Sequence, residues 1–191
     1  MNELEQYISV FFGVNEEDTR KIASYFQPEL CKKNDFILRT GATRCSLHFQ
    51  RSGYSRFFIE SPEEEITQWI AAPDSFITDL AALMFQTPVR FNIQALTDCE
   101  LFTISADDYN NLGNVIPAWH RLEKLFLGKC FIFMEERLFS LLSMNMEERY
   151  DWLFSKAPSL FNQVPLQYLA SMLGMTPETL SRIRKKGQGR I

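Results

Sequence analysis

The chain has 191 residues and a net charge of −4; 46 % of it is hydrophobic, 23 % charged and 14 % aromatic, with 17 phenylalanines. That length admits one domain or two small ones, and the composition excludes a disordered chain, a collagen-like repeat and a coiled-coil fibre. No uncharged apolar run approaches the ~18 residues of a membrane span, and the start, Met1-Asn2-Glu3-Leu4-Glu5, is acidic where a secretory signal is basic, so a soluble cytoplasmic protein with no membrane partner is expected.

The first predicted helix is capped by Asn15, carries Glu16, Glu17 and Asp18 in its first turn, where carboxylates favour the dipole, and ends before Pro28. From residue 35 to 105 the pattern alternates. Strands are expected near Phe36–Arg39, Ser46–Gln50, Tyr54–Glu60, Ile66–Ala71, Val89–Ala95 and Glu100–Ser105, with a short helix at Asp79–Phe85 inserted among them. Short strands at this spacing, without long helices between them, predict an antiparallel roll or barrel. Ser105 caps another short helix. Pro117 opens a long one that reaches Ser143, about 27 residues and roughly 40 Å.

Trp119, Leu122, Phe126, Cys130 and Phe133 step by three and four along that helix, and Leu125, Ile132 and Phe139 repeat every seven. A helix apolar on more than one side must bury both. One face is expected on the roll and the other, assigned to Trp119, Leu122, Phe126, Cys130 and Phe133, on the same helix of a second subunit. Met146–Ser155 then reads as an amphipathic helix, and Pro158 and Pro165 bracket a polar connection. The expected fold class is therefore α+β: a jelly-roll domain over residues 1–116, a dimerisation helix over 117–143 and a small helical domain over 144–191.

Four cysteines, Cys31, Cys45, Cys99 and Cys130, are scattered without a CxxC pair, and His48 and His120 stand far apart. This pattern supplies neither zinc nor iron–sulfur ligands, so no metal and no cofactor is expected, and both histidines read as structural. GxSxG, HExxH, P-loop and GxGxxG motifs are absent, and nothing argues for an enzyme.

Charge is divided unevenly. Residues 1–151 carry 14 basic and 23 acidic side chains; residues 152–191 carry six basic ones (Lys156, Arg182, Arg184, Lys185, Lys186 and Arg190) and one acidic one, Glu178. A basic end on an acidic body points to a polyanion partner for that end alone.

Residues 165–186 meet the requirements of a helix-turn-helix. Leu169 and Leu173 form an inner stripe, Ala170 is small where two helices cross, and Gly174 permits a left-handed turn. Thr176 can cap the second helix, Pro177 suits its first position, and Leu180 and Ile183 lock it onto the first. Thr176, Pro177, Glu178, Thr179, Arg182, Arg184, Lys185 and Lys186 are left to meet double-stranded DNA, with Glu178 and Arg182 on one face able to brace each other.

The string Thr176-Pro-Glu-Thr-Leu-Ser-Arg resembles the recognition helix of the cyclic-AMP receptor / fumarate–nitrate regulator family, whose pattern is R-E-T-x-S/G-R. Glu178, Thr179 and Arg182 match it, and Pro177 replaces the first Arg. Phe76-Ile77-Thr78-Asp79-Leu80 resembles the family's F-x-G-E-L entrance to its phosphate site, and Cys99-Glu100-Leu101-Phe102-Thr103-Ile104 its C-E-x-x-x-I strand. The resemblance implies a homodimeric bacterial transcription regulator that reads an inverted repeat and answers to a small-molecule effector in its roll, with RNA polymerase as a further partner. A dimeric sensor or interaction module with weak DNA binding is the alternative.

The family binds cyclic nucleotide through a Gly–Glu pair and an Arg–Ser pair. This chain has Thr78-Asp79 and Val89-Arg90 instead, with Arg90 one residue out of step and expected on the opposite strand face. Cyclic nucleotide is therefore not expected as the effector, and Thr78, Asp79, Val89 and Arg90 are the candidate positions for another one. The family's β-hairpin wing is expected to be absent, because the sequence stops five residues after Lys186.

Overall fold

A computed structural model describes residues 3–188, with side chains through Lys186. The acidic start at Met1, the cation Arg190 and the expected lack of a wing lie outside the described residues.

Two helices precede the sheets: α1 (Glu3–Phe12) and α2 (Glu16–Ala23). The sequence reading gave no element to residues 3–12, although Leu4, Ile8 and Phe12 follow one another every four residues and all three are buried. Asn15 caps α2 as expected, its side chain accepting from the Asp18 amide. Eight strands follow: β1 (Gln27–Cys31), β2 (Phe36–Leu38), β3 (Ser46–Ser52), β4 (Ser55–Glu60), β5 (Glu65–Ala71), β6 (Ser75–Ile77), β7 (Asn92–Ala95) and β8 (Cys99–Ser105), with α3 (Leu80–Phe85) between β6 and β7. They form two antiparallel four-stranded sheets, ordered β1-β8-β3-β6 and β2-β7-β4-β5. The chain is thus the α+β jelly-roll that the alternation implied.

Three local differences have physical causes. β1 contains Pro28, which sequence patterning treats as a stop; β1 lies at a sheet edge and pairs only with β8, the place in a sheet where a proline is tolerated. β6 is three residues long, too short to show alternation. The strand expected from Val89 begins only at Asn92. Gln86 ends α3 in the left-handed region at φ 53°, and the residues after it cross to β7 as irregular chain.

The helical remainder comprises α4 (Ala106–Val115), α5 (Trp119–Ser143), α6 (Met146–Lys156), α7 (Leu160–Gln163), α8 (Leu166–Leu173) and α9 (Pro177–Gln188). Ser105 caps α4 through the Asp108 amide, and Asn145 with Glu148 forms a reciprocal capping box on α6. The connection expected to be polar between Pro158 and Pro165 instead contains α7, which buries Leu160 and Phe161.

Buried apolar side chains gather in two clusters. One fills the roll and the space beneath α1, α4 and the first half of α5, where the rings of Tyr7, Phe11, Phe12, Phe49, Phe76 and Phe126 form a chain of contacts, each within about 6 Å of a neighbour. The other joins Tyr150, Leu153, Phe161, Leu169, Leu173, Leu180 and Ile183 to Ile70 and Leu96 of the roll. Among the described residues, no helix is long and apolar enough to cross a membrane.

This packing removes Trp119, Leu122 and Phe126 from the expected dimer seam. Trp119, Leu122 and Phe126 are 3 %, 0 % and 2 % exposed within the single chain. Trp119 meets Tyr109 edge-on with 5.3 Å between centroids, and Phe126 packs on Phe11, Phe12 and Phe76. These side chains are core, because α1, which patterning left unassigned, supplies the surface that covers them. Cys130 lies at the margin of that core, and Phe133 packs edge-on against Trp69. The side of α5 left open carries the other line, Leu125, Ile132 and Phe139, flanked by Phe131, Leu138 and Leu142, and Phe133 of the expected seam is itself 38 % exposed beside it.

Candidate nucleic-acid interface and roll pocket

α8 and α9 build a helix-turn-helix from the residues that patterning singled out. Gly174 follows α8 at φ 68°, ψ 41°, a conformation that disfavours any Cβ. The Thr176 hydroxyl accepts from the Thr179 amide at 3.3 Å and so caps α9. Leu169, Ala170, Leu173 and Leu180 are fully buried and Ile183 nearly so, which fixes one helix across the other. Thr176, Pro177, Glu178, Arg182, Lys185 and Lys186 are exposed, and Thr179 and Arg184 are half-buried.

The charges on this face have partners within the chain. Glu178 does not brace Arg182: no ion pair joins the two. The polar groups at the start of α9, its own backbone N–H first and Thr176 second, hold the Glu178 carboxyl below its ordinary pKa. Lys186 donates to Glu147 at 2.7 Å, with about half of each side chain exposed. Both line a groove of about 560 Å³ between the start of α6 and α9, together with Glu148, Asp151, Thr179 and Arg182.

Two arginines to which the sequence assigned no site role hold α8 in place. Arg149 donates to Leu141 O, Met144 O and Leu173 O at 2.7, 3.0 and 3.1 Å, tying together the end of α5, the linker and the end of α8. Arg137 donates to Met172 O. Two cations therefore satisfy carbonyls at the α8 C-terminus, where the helix dipole favours positive charge. Burial, and the Arg149 charge nearby, bring the Arg137 pKa down to about 10. An Arg inside an amphipathic helix reads as surface; only the fold reveals carbonyls above it.

The candidate effector positions of the roll are bonded to one another and to the backbone around them. Asp79 caps α3, accepting from the Ala81 and Ala82 amides, and its side chain has no exposed surface. Arg90 meets that carboxylate with its backbone N–H at 2.8 Å, with Nη2 at 2.7 Å and with Nε at 3.1 Å from both oxygens. Burial raises the Asp79 pKa, but the Arg90 hydrogen bonds outweigh it and hold the carboxyl below its ordinary value. Arg90 was expected on the opposite face from Asp79. It is not, because it lies outside any strand, where alternation of faces does not operate. Thr78 donates to Ser46 O at 2.8 Å, and Val89 is buried, exchanging backbone bonds with Gly41 and Ala42. All four candidate effector positions are thus engaged internally.

His48, on β3, is 3 % exposed. Its Nδ1 lies 2.8 Å from the Thr103 hydroxyl, which donates to Glu29 at 2.6 Å, so the ring donates to Thr103. Burial pushes its pKa down to about 4, against a smaller opposing pull from Glu29. Among the described residues, no three His, Cys, Asp or Glu side chains gather where a metal could bind.

Residues 28–114 match the family model of the cyclic nucleotide-binding domain. The chain has the catabolite activator fold. The catabolite activator protein of Thermus thermophilus superposes over 95 % of this chain and 87 % of its own length, with a TM-score of 0.59 and 23 % identity. FixK2 of Bradyrhizobium japonicum gives 0.71 over 86 % and 85 % at 14 % identity. The c-di-GMP responsive global regulator CLP of Xanthomonas campestris gives 0.66 over 92 % and 93 % at 16 %. At these identities the likeness is one of fold. No curated protein sequence matches the chain. Within that fold, α5 is the long helix after the roll, and α6 to α9 form the C-terminal helical bundle.

Proposed function

We propose that the protein is a homodimeric DNA-binding transcription regulator, with α9 as its recognition helix and an inverted repeat as its target. One observation carries this reading: α9 buries Leu180 and Ile183 on α8 while Arg182, Lys185 and Lys186 stay exposed on its outer side. Arg182 is suited to guanine O6 and N7, Glu178 to the cytosine amino group, and the lysines to phosphates. Dimerisation is assigned to the open line of α5, Leu125, Ile132 and Phe139, whose seven-residue repeat suits a short coiled seam. RNA polymerase is a further expected partner of a regulator of this kind.

The effector, in this reading, is not a cyclic nucleotide. A nucleotide phosphate in the roll would compete with the Asp79 carboxylate for Arg90, and the helix N-terminus beside it is already capped by that same carboxylate. Calorimetric titration with cyclic AMP and cyclic GMP should give no heat of binding at micromolar protein; saturable binding would overturn this part.

The second reading, a dimeric module with weak DNA binding, draws on the Lys186–Glu147 pair, which occupies one of the three exposed cations. Selection of duplexes from a random library separates the two. Enrichment of an inverted repeat with at least one G·C pair per half-site supports the regulator, and no enriched repeat favours the module. In that assay Arg182→Ala should cost ~1–3 kcal/mol and relax one base position.

A further inference from the structure

α8 does more than begin the helix-turn-helix: it is seated on the second sheet of the roll. Arg56 of β4 has no exposed surface, and its guanidinium carbon lies 3.8 Å from the centre of the Phe58 ring and 4.0 Å from that of Tyr168 on α8. The same guanidinium donates to Glu65 of β5, while its Nε and Nη1 have no hydrogen-bond partner. Beside it, the Thr67 amide of β5 donates to the Ser171 hydroxyl of α8 at 2.9 Å. β5 is the edge of its sheet, so α8 supplies an acceptor for a main-chain donor that no strand pairs.

This seat covers the back of α8 and leaves the outer side of α9 open, so it does not obstruct a duplex. It does remove freedom. The helical end is joined to α5 by the extended pair Met144 and Asn145 and tied to that helix by Arg137 and Arg149, so the seat on the roll adds a second anchor for α8, on a different element. A regulator that reads two half-sites needs its recognition helices at a fixed separation and angle.

We infer that Arg56 and Tyr168 form a clamp that fixes the direction in which α9 is presented, and thereby the half-site spacing the dimer accepts. The inference rests on the DNA-binding reading above. The cation is held against two rings and away from water, and the Tyr168 ring is the contact that joins it to α8. Arg56 and Tyr168 are positioning residues; neither lies on the face offered to a base.

The test uses the full chain and duplexes carrying the selected half-site twice in inverted orientation, with the spacer changed one base pair at a time across a helical turn. The wild type should bind one spacing best. Tyr168→Leu, which keeps an apolar side chain on α8 but loses the ring, should lose that preference while its affinity for a single half-site and its salt dependence stay unchanged. Tyr168→Phe should restore the preference, and Ser171→Ala should weaken it. A Tyr168→Leu profile identical to the wild type overturns the clamp.

A second measurement does not need DNA. Proteolysis in the linker at residues 143–146 should accelerate in Tyr168→Leu and not in Tyr168→Phe. Equal cleavage of all three proteins overturns the clamp, whereas faster cleavage without any inverted-repeat binding by the wild type removes the DNA reading and leaves the clamp standing.

Discussion

Asp79 and Arg90 make four hydrogen bonds to each other, one from the Arg90 backbone and three from its guanidinium, with the carboxylate fully buried and the guanidinium more than half exposed. The pair is therefore asymmetric. Asp79 depends on Arg90 for its charge to be tolerated, but Arg90 could find water instead.

Arg90→Met should destabilise the roll by about 2–3 kcal/mol, because the buried carboxylate loses its counter-charge and keeps only main-chain donors, the α3 amides and the amide of residue 90. Chemical denaturation at neutral pH measures it. The sign with pH follows from the lowered Asp79 pKa. A carboxyl depressed in the folded state contributes stability above the unfolded value of ~3.9, and that contribution is lost as pH falls through the folded pKa. The gap between wild type and variant should therefore close in that acidic range; a gap that persists there contradicts the assignment.

His48 sets a second window. Its folded pKa of about 4 lies below the ordinary 6.5, so between those values the unfolded chain takes up a proton that the folded chain refuses. Stability should fall through this window as pH drops, by up to about 1.4 kcal/mol per pH unit. His48→Gln should flatten the slope, read from urea midpoints at several pH values, and an unchanged slope would place the titrating group elsewhere.

Two substitutions on α5 distinguish its faces. Ile132→Glu puts a charge on the open line and should yield a folded monomer by sedimentation at micromolar concentration. Phe126→Glu buries a charge among Phe11, Phe12 and Phe76 and should unfold the chain rather than dissociate it. A folded, monomeric Phe126→Glu protein would contradict the core assignment.

Glu147 holds Lys186 at 2.7 Å beside the proposed reading face. Glu147→Gln should release the lysine to a phosphate and steepen the log–log salt dependence of duplex binding by roughly one contact. Equal slopes for the two proteins would show that Lys186 does not reach the duplex.

Much of the site was legible before any coordinates. The helix-turn-helix is a local object: Gly174, Thr176, Pro177 and the apolar set Leu169, Leu173, Leu180 and Ile183 each act on neighbours within a few turns, so their spacing suffices. The caps at Asn15 and Ser105 are local in the same sense, as is the alternation that announced the roll.

What only the tertiary structure decided involves partners far apart in the chain. The line Trp119, Leu122 and Phe126 and the line Leu125, Ile132 and Phe139 are both apolar at helical spacing; which one is core depended on α1, more than a hundred residues earlier, folding against the first. Arg90 reaches Asp79 because the chain between them leaves regular structure after Gln86, where no period can be counted. Arg56 reads as an outward cation on an alternating strand until Tyr168 is laid over it. Periodicity says that a side chain has a face; only the packed neighbours say what that face meets.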